Sequence, residues 1–267
     1  MSEAFIVAAT RTAGGRRGGR LSGWHPVDLA AQVLNDLVDR TKVDPALVED
    51  VFMGCVSQVG EQSTNVARNA VLASRLPESV PGTSIDRQCG SSQQAVHFAA
   101  QAVMSGTMDI VIAAGVESMT RVPMFSPTAL AQKAGMGTYQ SEGMNQRYNS
   151  QVFSQFVGAE MMAKKYGLSK DDLDRYALLS HQRALAATQS GAFRDEILKV
   201  AVRTADGAST GLLLSAVAEP GAYYRDFEKL TLASVGKIVP SYPASREYCA
   251  IGGMVSNNSG GELTLQQ

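Results

Sequence analysis

Apolar and polar residues alternate along the first 120 positions in a pattern that predicts strands and helices in turn. Short apolar runs at 5–9, 51–56, 83–85 and 109–114 predict strands. Helices are expected to open at Pro26, with apolar residues on one face, at Asp44-Pro45 and behind a Thr64 cap. Strands and helices that follow one another at this spacing are typical of a layered α/β fold with a partly parallel sheet.

The predicted helix at 90–105 differs from the others, because apolar residues surround it on nearly every side. A helix of that kind belongs inside a layered structure and not on its surface. We therefore expect it to be buried.

Beyond residue 120 the pattern changes twice. Residues 120–149 show no periodicity and predict a long loop, which is uncommon unless it is functional. Helices follow at 154–165 and from Ser169, where Asp172 completes a capping box, and a strand is predicted at 196–202. After about residue 206 the succession of strand and helix signals does not continue. We predict a first region at 1–119, a second at 120–205, a junction at 206–217 and a separate segment at 218–267.

Composition narrows the possible functions. The chain has 267 residues, of which 45% are hydrophobic, and its 24 basic residues balance 25 acidic ones. Such a balance gives no basic field for nucleic acid or for an anionic membrane. The apolar runs are too short to span a bilayer, and the first residues do not resemble a signal peptide. Three widely spaced cysteines suit a reducing compartment and predict no metal site. These features predict a soluble, cytoplasmic protein.

Cys89 is the strongest candidate for chemistry. It falls where a predicted strand turns into the 90–105 helix, so the free amides and the dipole of the helix start favour a thiolate. By residue type alone a small buried thiol is the commoner role, but the flanking Gly90 and Ser91 favour a nucleophile. Cys55, inside an apolar strand, is interpreted as a structural thiol.

A nucleophile needs a base, and the sequence offers no convincing one. His97 lies eight residues after Cys89 on the same helix, roughly 12 Å along its axis. His25 and His181 are interpreted as surface or structurally satisfied histidines. The arginine- and glycine-rich loop at 11–20 lacks the Gly-Lys-Ser/Thr ending of a P-loop, so a solvated basic loop is the favoured interpretation.

Several motifs together resemble the N-terminal half of a thiolase, the acetyl-CoA acetyltransferase or 3-ketoacyl-CoA thiolase family. The match is collinear over residues 1 to about 205, and its most specific piece runs from Asp86 to Gln94. The other motifs are Ala9-Thr10-Arg11-Thr12, Asn65-Val66-Ala67-Arg68, Gly115-Val116-Glu117-Ser118-Met119-Thr120, Ser180-His181-Gln182-Arg183-Ala184 and Gly191-Ala192-Phe193-Arg194-Asp195-Glu196-Ile197.

The resemblance implies an α/β fold with a layered mixed sheet, a buried nucleophile helix and a helical loop domain at 120–205. It implies that Cys89 is the nucleophile of an acyl-CoA acyltransferase. The thiolate would attack the 3-keto carbon of a 3-ketoacyl-CoA, release acetyl-CoA and pass the acyl group to a second CoA. Acyl-CoA substrates are the implied partners, without nucleic acid or membrane, and CoA enters only as substrate, so no cofactor is expected.

The family's C-terminal motifs, Asn-Glu-Ala-Phe, Gly-His-Pro and Cys-x-Gly, do not occur in this sequence. They supply oxyanion-binding groups, the activating histidine and a second acid/base cysteine. We therefore expect a truncated thiolase that is incompetent for turnover by itself. Half of a thiolase exposes an apolar layer that its other half normally covers, which predicts a homo-oligomer or another association through that face.

Three segments after residue 218, at 219–227, 240–247 and 251–262, resemble an FAD-linked oxidase of the lactate/glycolate dehydrogenase type. An FAD-binding oxidoreductase fragment, or an inactive chimeric remnant, is therefore the alternative function. In that family the glycine-rich stretch runs beside the flavin pyrophosphate. The weak FAD candidates are Gly252, Gly253, Asn257, Asn258, Gly260 and Gly261. The flavin domain is otherwise missing, so we expect no bound FAD. Cys249, just before this stretch, only superficially echoes the Cys-x-Gly motif.

Overall fold

A computed structural model describes residues 3–215, which fall into two compact units. The first unit holds residues 3–12, 21–139 and 198–215, and the second holds 13–20 and 140–197. The elements in chain order are α1 (Pro26–Thr41), β1 (Asp50–Gly54), α2 (Val66–Ala73), β2 (Gly82–Ile85), α3 (Ser91–Met104), β3 (Val111–Gly115), α4 (Ser126–Lys133), α5 (Glu142–Tyr148), α6 (Gln155–Tyr166), α7 (Lys170–Gln189), β4 (Val200–Arg203) and β5 (Ser209–Leu214).

The centre of the first unit is a three-stranded parallel sheet in the order β2-β1-β3. In its register, Gly54 at the end of β1 lies beside Ile85 of β2 and Gly115 of β3. All three strands thus end at one edge of the sheet, where parallel sheets commonly carry functional residues. β4 and β5 form a separate antiparallel pair, so the mixture of strand directions is divided between two sheets.

The core of this unit lies between the sheet and the helices α1 and α2. Leu34, Val51, Met53, Val66 and Val71 are fully buried in one cluster. The apolar face predicted for the helix at Pro26 is the face that supplies Leu34. Burial of such side chains contributes on the order of 1.5–3 kcal/mol each, so this cluster is a main source of the unit's stability.

The expected burial of the 90–105 helix is only half realised. α3 buries Ser91, Gln94, Ala95 and Ala99 against the sheet, whereas Val96, Phe98 and Met104 are 41–47% exposed. The reason is that the described part of this unit packs its strands against only one side of the helix. Its outer side therefore carries exposed apolar side chains, Val96 and Met104, among polar ones.

Two expectations near the beginning of the chain were wrong in detail. Residues 5–9 form no strand and pair with none of the described strands, and Phe5, Ile6 and Val7 are 76–83% exposed. α2 is capped by Asn65 and not by Thr64: the Asn65 side chain accepts a hydrogen bond from the Arg68 N–H at 3.2 Å. The short helix after Asp44 is present as the 3-10 turn Pro45–Leu47.

Residues 120–149 are more ordered than their lack of periodicity predicted, since α4 and α5 lie within them. Neither helix has a buried residue, which explains why no apolar face marks them in the sequence. In the second unit, α7 begins at the predicted capping box: the Ser169 side chain and Asp172 satisfy each other's backbone N–H groups. That unit has a sparse core, because α6 buries no residue and α7 only Ala177.

The hairpin of β4 and β5 occupies part of the predicted junction at 206–217. Val200 pairs with Leu214, and the Trp24 indole N–H donates to the Ala201 carbonyl at 2.7 Å, which fastens the hairpin within the first unit. The segment 218–267, with Cys249 and the six weak FAD candidates, lies outside the described residues. The division into four regions stays a prediction. No helix in residues 3–215 combines the length and the apolar character needed to cross a membrane.

Candidate active site

The candidate site lies at the carboxyl edge of the parallel sheet, where two glycines make room for the start of α3. A Cβ atom on Gly54 would lie 2.3 Å from the Ser92 backbone nitrogen. One on Gly115, on the neighbouring strand, would lie 1.9 Å from the Ser92 Oγ. Real Cβ contacts are essentially never this short, so the helix start requires glycine at position 54, while Gly115 leaves room for the Ser92 side chain. The first turn of α3 is therefore seated directly on the sheet.

Cys89 stands in the bend that joins β2 to this helix. The residue before it, Gln88, has a φ of 50°, in the left-handed region that non-glycine residues seldom adopt. Asp86 steadies the bend from outside, because its carboxylate accepts the Gln88 N–H at 2.8 Å. Gly90 is the N-cap residue of α3 and supplies no side-chain cap. The Cys89 side chain is exposed as a free thiol, one residue before that cap.

Ser91 holds the same bend from inside. Its hydroxyl accepts a hydrogen bond from the Arg87 N–H at 2.9 Å and donates one to the Gln88 carbonyl at 2.6 Å. The Arg87 guanidinium in turn donates to the buried Gln94 side chain one turn further along α3. Sequence reasoning identified Cys89 at this position, but it assigned no role to Ser91.

Cys55 directly follows the neighbouring strand, β1, and its thiol is buried, whereas that of Cys89 is exposed. It is 1% exposed, and burial raises the pKa of its thiol to about 12, with the carboxylates of Glu117 and Asp86 adding to the rise. Its backbone N–H donates to the Ile85 carbonyl at 3.0 Å. A thiol that stays protonated is a poor nucleophile, which agrees with the structural interpretation of Cys55.

Glu117, directly after β3, joins the loops that follow β1 and β3. Its carboxylate accepts the N–H groups of Val56 at 2.7 Å and Ser57 at 3.3 Å. It also accepts the Gln62 side-chain amide at 3.0 Å, and Gln62 is completely buried. Sequence analysis quoted Glu117 within a motif but gave it no function; a carboxylate immediately after a buried strand is the signal that could have found it.

The three histidines have separate environments. His25 caps α1 by accepting the Val27 N–H at 3.3 Å, and its Nε2 lies 3.8 Å from a Glu61 carboxylate oxygen. His97 is exposed on α3. His181 lies on α7 in the second unit, where burial lowers its pKa. No hydrogen bond among the described residues joins a histidine to the Cys89 thiol.

The second unit contains a cavity of about 360 Å³. It lies at the beginning of α6 and is lined mainly by the apolar side chains of Val152, Phe153, Val157 and Met161. Within residues 3–215 no group of three or more His, Cys, Asp or Glu side chains is arranged to hold a metal ion. In the basic loop, Arg16, Arg17 and Arg20 are exposed.

Comparison with known proteins decides the family. The sequence model of the thiolase N-terminal domain matches residues 4–230, which is most of the chain. This chain belongs to the thiolase family. The match confirms the resemblance and the α/β fold class, and it extends beyond residue 205, where the motif-based resemblance ended.

Curated thiolases are similar over three quarters of the chain. A steroid 3-ketoacyl-CoA thiolase of Mycobacterium tuberculosis is 48% identical over 202 residues, which are 75% of this chain and 50% of the relative. A 3-ketoacyl-CoA thiolase of Erwinia tasmaniensis is 41% identical over 78% of this chain and 51% of its own length. A beta-ketoadipyl-CoA thiolase of Escherichia coli is 39% identical over 79% of this chain and 54% of its own length. The chain thus spans about half the length of the thiolases that it matches.

Proposed function

We propose that this member of the thiolase family is an acyl-CoA acyltransferase with Cys89 as its nucleophile. The main supporting observation is an exposed thiol in a strained bend between β2 and α3, whereas the cysteine that follows the neighbouring strand is buried and has its pKa raised to about 12. Only one of the two cysteines at this sheet edge is thus accessible for covalent catalysis.

The proposed reaction has two steps. The Cys89 sulfur attacks the 3-keto carbon of a 3-ketoacyl-CoA, and the bond between carbons 2 and 3 breaks. Carbon 2 keeps the electron pair and takes up a proton, which releases acetyl-CoA. The thiolate of a second CoA then attacks the acyl-cysteine, forms the shortened acyl-CoA and restores the Cys89 thiolate. This is nucleophilic catalysis with a ping-pong order.

The proposed substrates are 3-ketoacyl-CoA thioesters. Two relatives are named for different acyl groups, one for a steroid and one for beta-ketoadipate. The steroid 3-ketoacyl-CoA thiolase has the higher identity, so a steroid-derived 3-ketoacyl-CoA is the first extended substrate to test beside acetoacetyl-CoA. CoA is a substrate in this scheme, and the chemistry uses no other cofactor.

The exposed apolar surface of α3 supports a further part of the proposal, namely association with another protein chain or a homo-oligomer. Val96 and Met104 lie on this surface, and solvent-exposed apolar patches often mark interfaces. Sedimentation velocity of the unsubstituted chain and of Val96→Glu would test it, since a monomer in both cases contradicts it. The cytoplasmic location remains a proposal from the sparse free cysteines, to be checked by cell fractionation.

The covalent step is tested with acetoacetyl-CoA in the absence of free CoA, followed by mass spectrometry of the peptides. We expect an acetyl group on Cys89 in the unsubstituted chain and in Cys55→Ser, and none in Cys89→Ser. The half-reaction is the sharper test, because acyl transfer to the thiol precedes every later step and is detected without turnover, for which this chain by itself is expected to be incompetent. An unmodified Cys89, or acylation of Cys55 in the folded protein, would contradict the proposal.

A further inference from the structure

The bend before Cys89 is held in a conformation that it would not adopt by itself. Gln88 has a φ of 50°, and such non-glycine residues persist only where surrounding contacts impose them. Residues of this kind often occur at functional sites, where the strained backbone aims a side chain. The contacts that impose the Gln88 conformation therefore bear on the direction of the Cys89 thiol.

The Ser91 hydroxyl makes two of those contacts, one on each side of Gln88. It accepts the N–H of Arg87, the residue before the bend, at 2.9 Å. It donates to the carbonyl of Gln88 itself at 2.6 Å. Ser91 is only 4% exposed, so water has little access to replace the hydroxyl if it is removed.

The backbone of Ser91 packs closely against the end of β1. A Cβ on Gly54 would lie 2.5 Å from the Ser91 carbonyl carbon and 2.3 Å from the Ser92 nitrogen. The hydroxyl is thus anchored to the sheet through its own backbone, and it transmits that fixed position to the bend.

From this geometry we infer that Ser91 is a positioning residue, which keeps Gln88 left-handed and so keeps the Cys89 thiol at the N-terminus of α3. The inference deepens the proposed function and rests on it, because it concerns how the proposed nucleophile is held. Ser91 touches no reacting atom in this role. It acts through the backbone of the two residues before Cys89.

Ser92 provides a matched control on the same turn. It is exposed, and within the described part of the chain its hydroxyl makes no hydrogen bond. Ser91→Ala and Ser92→Ala remove the same atom from adjacent residues, but only the first removes contacts to the bend. Ser91→Thr keeps the hydroxyl and is the conservative rescue.

The probe is iodoacetamide at pH 7, with the rate at each cysteine read by mass spectrometry. We expect Ser91→Ala to slow alkylation of Cys89 by about fivefold, because the bend relaxes and the thiol leaves its exposed position at the start of α3. Ser92→Ala should stay within about twofold of the unsubstituted chain, and Ser91→Thr should recover most of the loss. Equal rates in Ser91→Ala and the unsubstituted chain would overturn the inference.

The same Ser91→Ala substitution, made in the Gln88→Gly variant, distinguishes a positioning role of Ser91 from a general packing role. Glycine adopts a positive φ without strain, so Gln88→Gly lessens the need for the Ser91 hydroxyl. The rate loss caused by Ser91→Ala should therefore be smaller in the Gln88→Gly background, whereas a purely structural role gives the same loss in both. If Ser91→Ala unfolds, as labelling of Cys55 would reveal, then Gln88→Gly must restore Cys55 protection to the double variant; failure to do so overturns the inference.

Failure of the proposed function is distinguishable from failure of this inference. If the unsubstituted chain forms no acyl adduct with acetoacetyl-CoA, the proposed function fails, while the alkylation contrast still decides the role of Ser91. If the adduct forms but Ser91→Ala alkylates at the normal rate, the proposed function stands and the positioning role is refuted.

Discussion

The ends of β1 and β2 lie side by side, and each is followed within a few residues by a cysteine, yet the two thiols differ in almost every physical respect. Cys55 follows β1 directly, is 1% exposed and has acidic neighbours, so its pKa is raised to about 12. Cys89 comes four residues after β2, in a bend that turns the chain out of the sheet, and its thiol is exposed.

The difference shows that position at the sheet edge does not by itself make a cysteine reactive. Cys55 continues the direction of its strand and remains in the core, where its N–H still bonds to the Ile85 carbonyl. At β2 the left-handed Gln88 redirects the chain before the cysteine is reached. The bend, and the glycines that seat the helix after it, separate a structural thiol from a candidate nucleophile.

The largest expected effect is on thiol alkylation. With iodoacetamide at pH 8, we expect Cys55 to react at least about 1,000-fold more slowly than Cys89, because a thiol with a pKa near 12 has on the order of 10⁻⁴ of its population as thiolate. Peptide mass spectrometry measures both rates in one sample. Labelling in denaturant is the control, since there the two rates should converge. Comparable alkylation rates of Cys55 and Cys89 in the folded protein would contradict the assignment of Cys55 as structural and Cys89 as reactive.

The next largest effect is expected on stability, from substitution of Gly54, against which the first turn of α3 packs. Gly54→Ala places a Cβ 2.3 Å from backbone of the helix start, so it should lower the free energy of unfolding by about 2–3 kcal/mol. It should also slow alkylation of Cys89. Denaturant unfolding followed by circular dichroism measures the stability.

Gly158→Ala is the matched control for that substitution. Gly158 lies in α6 with no atom within 4 Å of its added Cβ, so alanine should stabilise the helix by about 0.5–1 kcal/mol. If Gly54→Ala is as harmless as Gly158→Ala, the helix start is not seated on β1 in the way described.

The smallest effect concerns stability at high pH. The folded state holds the Cys55 proton up to about pH 12, whereas an unfolded cysteine releases it near its ordinary pKa of 9.0. Between these values the unfolded state binds fewer protons, so stability is fully present below pH 9 and falls by up to about 1.4 kcal/mol per pH unit as pH rises.

Cys55→Ser isolates this contribution, because serine keeps a small polar side chain that does not titrate in this range. Urea unfolding at pH 8, 9 and 10 should show a steeper loss of stability in the unsubstituted chain than in Cys55→Ser. Parallel curves would mean that the Cys55 thiol is not held protonated by its surroundings.

Local sequence signals predicted several elements of the fold. The side chains of Asp44 and of the Ser169 capping box satisfy backbone groups within a few residues, and Pro26 is a favoured first helical residue, so these signals are readable without knowledge of the fold. The position of Cys89 between a strand and a helix followed from the same kind of signal. The strand predicted at 5–9 is absent, because strand formation depends on a partner strand that the apolar run itself does not specify.

The sequence by itself determined the order of strands and helices, the thiolase family motifs and the choice of Cys89, because these rest on periodicity and on contacts between near neighbours. Only the tertiary structure decided that Gly54 and Gly115 meet under one helix and that Glu117 joins two loops 60 residues apart. Those contacts depend on the register of three parallel strands. A shift of a single residue in that register would turn each side chain to the other face of the sheet.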